Sequence, residues 1–264
     1  YISFALAKNN RIKSSLRRIL LENQRVRKHG FTKGELQRAK DWLITSLRQS
    51  LKEKNKTESR QYINEYRRNF LSGEPIPGIE NEFAYARKFL PGITLEDVNE
   101  LADKWITDSN QVVLIQAPKK EGVKVPTKKE IRHIMDSTWN TRVSAYKDTL
   151  IDQPLLTEEP QNGAIKNISR NKQFGYTEVT FTNGVKAILK PNSYKNDQML
   201  FTGFSPGGHS RYAIDTFLDA RYTDRVINNS GVGTFDKTAL QKKLSGNTAR
   251  LSVSINTLTE GLSG

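Results

Sequence analysis

Apolar residues recur every three or four positions through most of the first 140 residues and every second position beyond about 176, which predicts a helical part followed by a strand-rich part. Tyr1-Ile2-Ser3-Phe4-Ala5-Leu6 alternates and predicts a short opening strand. Ile12, Leu16, Ile19, Leu20 and Val26 then mark one face of a helix, closed at His29-Gly30 where glycine is free to take a left-handed cap. Thr32-Lys33-Gly34-Glu35 is a capping box opening a second helix, with Leu36, Leu43, Leu47 and Leu51 on its apolar face. Thr57 is placed to cap a third, carrying Tyr62, Ile63, Tyr66 and Phe70, before the breakers between Ser72 and Gly78. Phe83, Ala86 and Phe89 predict a short helix stopping at Pro91-Gly92. Thr94-Leu95-Glu96-Asp97 caps another, whose buried side holds Leu95, Val98, Leu101, Ala102 and Trp105. Val112-Val113-Leu114-Ile115, apolar on both faces, predicts an interior strand.

No period is sustained from about 137 to 175, where Pro154, Pro160 and Gly163 punctuate a polar stretch of a length rarely found inside a compact domain. A domain boundary is expected there. Beyond it, Thr177 to Phe181 and Val185 to Leu189 flank Thr182-Asn183-Gly184, a hairpin signal in which Asn-Gly supplies positive φ angles. Met199 to Ser205 predicts a further strand ended by Pro206-Gly207-Gly208. A helix through Ala213, Phe217, Ala220 and Ile227 follows, then a shorter one from Asp236 with Leu240 and Leu244. Leu251, Val253 and Ile255 alternate with serines, as in a strand buried on one side. Strands, helices and a return strand without a βαβ rhythm predict an α+β fold.

Composition narrows the chemistry. The 264 residues hold no cysteine, so disulfides, thiolate zinc sites and cysteine nucleophiles are excluded. No apolar run approaches the ~18 residues of a membrane span, and the first residues do not read as a signal peptide. The net charge of +14 is local: residues 1–72 hold 18 Lys and Arg against 6 Asp and Glu, the rest 24 against 22. Arg17-Arg18, Arg25, Arg27-Lys28, Arg38, Lys40, Lys52, Lys54 and Lys56 lie on helices whose apolar faces are committed to a core, so their charges are expected to face solvent or a cavity. That surface would attract nucleic acid, anionic membrane or acidic peptide alike, although no zinc-finger or RNP-type motif accompanies it.

The three histidines, His29, His133 and His209, are far apart, and His133 opens neither H-E-x-x-H nor H-x-x-E-H. His29 at a helix end is explained by the dipole; His209 stands alone in a loop. There is no G-x-S-x-G elbow and no phosphate loop, and Gly231-Val232-Gly233 lacks a third glycine and a preceding strand. Glu96-Asp97 and Glu158-Glu159 are carboxylate pairs, one at a helix start and one in the polar stretch. Neither composes a catalytic pair, and no catalytic or metal-binding residue is assigned.

Several stretches together carry a resemblance: His29-Gly30-Phe31-Thr32-Lys33-Gly34-Glu35-Leu36-Gln37-Arg38-Ala39-Lys40, Pro91 to Asn99, Val112 to Ala117, Asn183-Gly184-Val185, Phe204 to Gly208 and Asn229 to Gly233. In this order they resemble the pitrilysin-type, or inverzincin, zinc peptidases. The family's repeated α+β units form two bowl-like halves around an unfolded peptide. The resemblance implies that residues 1–137 finish one unit, 138–175 link the halves and 176–264 open the next, as an internal piece of a longer protein. It also implies that the zinc unit, with H-x-x-E-H, lies before Tyr1, and that the second half repeats the fold. Where a zinc-bearing copy would carry its motif, this chain has Ala220-Arg221-Tyr222-Thr223-Asp224-Arg225-Val226. Asp224 alone cannot hold zinc, and Arg221 and Arg225 would repel it.

The expected function is therefore a non-catalytic segment of a zinc metalloendopeptidase that encloses peptide, with no cofactor bound by this chain and zinc in the parent's catalytic half. The partners implied are a peptide or unfolded polypeptide and that missing half. An inactive scaffold subunit of the same fold and a basic nucleic-acid-binding module remain as alternatives. A bacterial periplasm or envelope suits a cysteine-free chain, with cytoplasm open.

Overall fold

A computed structural model describes residues 1–8, 10–149 and 153–264; Asn9 and residues 150–152, which fall in the expected linker, lie outside that description. The fold is α+β, with eight α-helices and two three-stranded antiparallel sheets among the described residues. Packing groups the chain into two units, one of Tyr1–Lys40 with Tyr85–Thr149, the other of Asp41–Ala84 with Leu150–Gly264.

The first unit is built on α1 (Ile12–His29), the start of α2 (Lys33–Lys52), α5 (Leu95–Trp105) and α6 (Lys128–Trp139). Local chemistry sets the helix starts. Thr32 and Glu35 exchange bonds of 2.8 and 3.2 Å across the predicted box, and Thr94–Asp97 and Thr127–Glu130 do the same for α5 and α6. Gly30 takes φ +70°, and its missing side chain leaves room for Asn99 of α5, whose Oδ1 accepts from Phe31 N at 2.8 Å. Helices α1 and α6 lie side by side, Lys13 meeting Glu130 near their starts and Gln24 donating to Trp139 O near the far end of α6. Gln24 and Thr138 are 1 % exposed there, and Ala102 and Ile106 are buried beside them in the same unit.

Two predicted strands do not form. Tyr1–Leu6 and Val112–Ile115 are extended but pair with no other described residue. Sheet pairing is non-local: an apolar run becomes an interior strand only when a partner offers its backbone groups.

The second unit contains the remainder of α2, a single 3-10 turn at Lys54–Lys56, α3 (Ser59–Ser72) and the start of α4 (Ile79–Phe89). Thr57 does not cap α3, whose N-cap is Glu58; it lies one residue too early, and its hydroxyl donates to Glu53 O at 3.3 Å. The first sheet has the order β1 (Ile165–Asn171), β2 (Tyr176–Phe181), β3 (Lys186–Leu189). The predicted hairpin is β2–β3, but Gly184 alone takes positive φ (+87°), while Asn183 Oδ1 accepts from Val185 N at 3.1 Å. Strand β1, within the polar stretch, is exposed at almost every position and shifts register between Ile165 and Asn167, so no alternation announces it.

The second sheet places β6 (Thr259–Ser263) between β4 (Thr202–Pro206) and β5 (Ser252–Ile255). Helix α7 (Phe217–Asn229) begins after Ala213, and α8 (Lys237–Lys243) is capped by Asp236, which accepts from Ala239 N at 2.7 Å. The Asn228 amide both donates to Val253 O and accepts from Val253 N, at 2.7 and 2.9 Å, fixing α7 against β5.

Candidate functional site

In the first unit, Tyr1–Lys8 and Gln111–Pro118 border a trough of about 710 Å³ floored by Leu16, Ile19 and Leu20 of α1 and Met135 of α6. Alternation turns Val113 and Ile115 inward, half-buried, while Ile2, Phe4, Leu6, Val112 and Leu114 stand 84–96 % exposed. Asn23 holds the first segment to α1 by accepting from the Tyr1 hydroxyl and donating to Ser3 Oγ at 3.0 Å. Burial pushes the Tyr1 hydroxyl pKa up. Among the described residues, neither Tyr1–Ala7 nor Val112–Ala117 makes a backbone–backbone hydrogen bond, and Lys8 carries the only side-chain charge in the lining. Free N–H and C=O groups beside an apolar floor are what an added extended strand requires.

The basic helices behave differently from expectation. Arg25 Nε donates to Ser144 O (3.0 Å), Lys28 to Thr141 O (3.3 Å), and His29 Nε2 bonds to Val143 O (2.8 Å). Arg38 grips Asp148 with both terminal nitrogens, at 2.9 and 3.2 Å, the pair being largely buried. Lys40 donates to Ile93 O at 2.6 Å. In the second unit Lys52 meets Asp197, Lys54 meets Glu80 and Lys56 donates to Ser193 O, while Glu53 accepts from Asn196 N and Asp197 N. The Lys54 hydrogen bond holds the Glu80 carboxyl below its usual range. These cations tie down segments 141–148 and 193–197, so much of the charge expected on a binding face is spent on backbone carbonyls and carboxylates.

A cluster of free cations lies elsewhere. Residues 119–132 carry Lys119, Lys120, Lys124, Lys128, Lys129 and Arg132, all exposed and with side chains that make no ion pair or hydrogen bond to another described residue. Their acidic neighbours are Glu121 and Glu130, and the latter is occupied by Lys13, whose hydrogen bond lowers the Glu130 pKa to about 2. The signal was present in the sequence as two Lys-Lys pairs within eleven residues, but dividing the charge at residue 72 dilutes it. By packing unit, the first holds 22 Lys and Arg against 11 Asp and Glu.

The structure does not bring the histidines together. His29 is at the C-terminal end of α1, His133 is exposed on α6, and His209 packs edge-on to Phe217 at 5.1 Å with Nδ1 buried and unpaired. Among the described residues no three of His, Asp and Glu cluster to hold a metal ion. On α7, Arg225 lies 4.9 Å over the Tyr222 ring, a cationic neighbourhood unsuited to zinc. Asp97 is a capping residue, its pKa lowered first by the hydrogen bond from Thr94 N, and Glu158-Glu159 is exposed. A Cβ on Gly231 would fall 1.6 Å from Phe235 O, so Gly231-Val232-Gly233 serves the Val232–Phe235 bridge and its buried phenyl ring, 2 % exposed.

Comparison with known proteins supplies what geometry cannot. No family model matches the chain. A curated zinc protease PQQL-like protein from Arabidopsis thaliana is 25 % identical over 220 residues, 83 % of this chain and 23 % of that protein. This similarity supports the resemblance to the pitrilysin-type zinc peptidases. It spans under a quarter of that relative's length. Among solved structures, the periplasmic protease PqqL from Escherichia coli is 16 % identical with a TM-score of 0.45, covering 97 % of this chain and 28 % of its own. An alanine-substituted mutant of the ferredoxin protease FusC, in complex with Arabidopsis ferredoxin, is 16 % identical with a TM-score of 0.49, covering 96 % and 28 %. The zinc of the relative's name finds no fitting ligand set among the described residues of this chain. No helix there is long and apolar enough to cross a membrane.

Proposed function

We propose that this chain is a non-catalytic segment of a zinc metallopeptidase, one that encloses and holds extended polypeptide while the metal chemistry resides in another part of the parent. The observation that carries this reading is the kinship to a zinc protease over 220 residues in a chain whose described residues assemble no metal site. The trough supports it, since its unpaired backbone and a lining charged only at Lys8 suit a strand of neutral sequence. Residues 1–137 would finish one unit and 176–264 open the next, with the stretch between them as the link. An envelope location for the parent goes with this reading.

Two measurements on the chain test it. Elemental analysis after dialysis should find well under one zinc per chain; one tightly bound equivalent overturns the assignment. A fluorescein-labelled alternating Val-Thr octapeptide should bind, and Leu114→Lys should weaken it, because a charge would stand beside the added strand. No binding of that peptide removes the enclosing role.

A further inference from the structure

The six free cations of residues 119–132 invite a question that the capped helices frame. Helix α5 opens with Glu96 and Asp97, acids that favour its positive end, whereas α6 opens with Lys128 and Lys129, which oppose it. Among the described residues neither lysine makes an ion pair, and the first-turn acid Glu130 is held by Thr127 and Lys13. Lys128 and Arg132 are one turn apart and so share a face of α6, and Lys119, Lys120 and Lys124 precede it on the connecting loop. The positive end of α6 adds to their field, on a unit that already has twice as many cations as anions.

We infer that this surface, Lys119, Lys120, Lys124, Lys128, Lys129 and Arg132, is a docking face for acidic polypeptide. It deepens the enclosing role above and rests on it for the class of partner. Five of the six are lysines, point charges that bind carboxylates without demanding a fixed geometry. No Phe, Tyr or Trp occurs between Pro118 and Thr138, where His133 is the one ring, so the broad aromatic platform on which nucleic-acid bases stack is missing from the stretch. The trough, with its single charged lining residue, and this face divide the work: one receives extended neutral sequence, the other draws and retains acidic flanks.

The test uses the whole chain and labelled poly-L-glutamate, with a thymidine oligonucleotide of similar charge as competitor class. Polyglutamate should bind at low salt and be released as salt rises. Lys124→Gln, Lys128→Gln and Lys129→Gln together should weaken it about tenfold, and the loop triple Lys119→Gln, Lys120→Gln and Lys124→Gln, which leaves every helix intact, by a similar factor. Lys166→Gln, Lys190→Gln and Lys195→Gln remove the same charge from exposed, unpaired positions of the other unit and should change it less than about twofold. Equal losses in all three variants, no polyglutamate binding, or tighter binding of the oligonucleotide each overturn the proposal. A chain that binds the neutral octapeptide but ignores polyglutamate refutes this surface alone; the opposite pattern refutes the enclosing role alone.

Discussion

Two groups of cations in the first unit look alike as sequence and differ in kind as structure. Arg25, Lys28 and Arg38 of α1 and α2 end on oxygens of the segment 141–148, whereas Lys119, Lys120, Lys124, Lys128, Lys129 and Arg132 end in solvent. Formal charge counts both equally. What separates them is whether a nearby backbone has carbonyls left over, which a helix end or an irregular segment has and a sheet interior lacks.

The contrast breaks first at Arg38. Replacing it with alanine leaves Asp148, 8 % exposed, as a buried carboxylate without its guanidinium and should cost about 3 kcal/mol in urea unfolding. Gln24→Ala comes next: its amide bridges Trp139 O and Arg27 Nε, and its loss should cost about 2 kcal/mol by the same measurement. Thr127→Ala removes the α6 cap for about 1 kcal/mol. Lys128→Gln and Lys129→Gln should stay within about 0.5 kcal/mol of the parent chain and lean toward stabilisation, because they relieve the dipole. A loss as large as that of Arg38→Ala at either lysine would erase the distinction.

A pH series sharpens the same line. Glu130 ionises with a pKa of about 2 in the folded chain, against 4.5 ordinarily, mainly through its hydrogen bond from Lys13. A depressed folded pKa contributes stability that is present above pH 4.5 and lost as pH falls toward 2. Lys13→Gln should therefore differ from the parent chain at pH 7 and converge on it between pH 4.5 and 2 in acid-unfolding curves. A difference that persists unchanged at pH 2 would assign Lys13 a role apart from Glu130.

Features written within four or five residues were legible beforehand. The Thr32–Glu35 and Thr94–Asp97 boxes, the Asp236 cap and the β2–β3 turn each form because both partners lie in one short word of sequence. Features that need a distant partner were not. Val112–Ile115 has the composition of an interior strand but pairs with no other described residue, while β1 and β6 pair despite lacking clear alternation. For the candidate surface, two Lys-Lys pairs marked the stretch, but which cations stay free could not be read, since only the folded chain reveals which lysines already have a carbonyl.

The tie between α1 and segment 141–148 runs from side chains on the helix to main-chain oxygens of Thr141, Val143 and Ser144. Recognition of this type is one-sided in evolutionary terms. The held segment can exchange Val143 and Ser144 without losing the grip, because every amino acid offers the same carbonyl, whereas Thr141 also donates its hydroxyl to Ser137 O, and the holding positions Arg25, Lys28 and His29 can drift only at the expense of the grip. Asp148 is held instead through its own carboxylate, so at that position the segment must keep its identity.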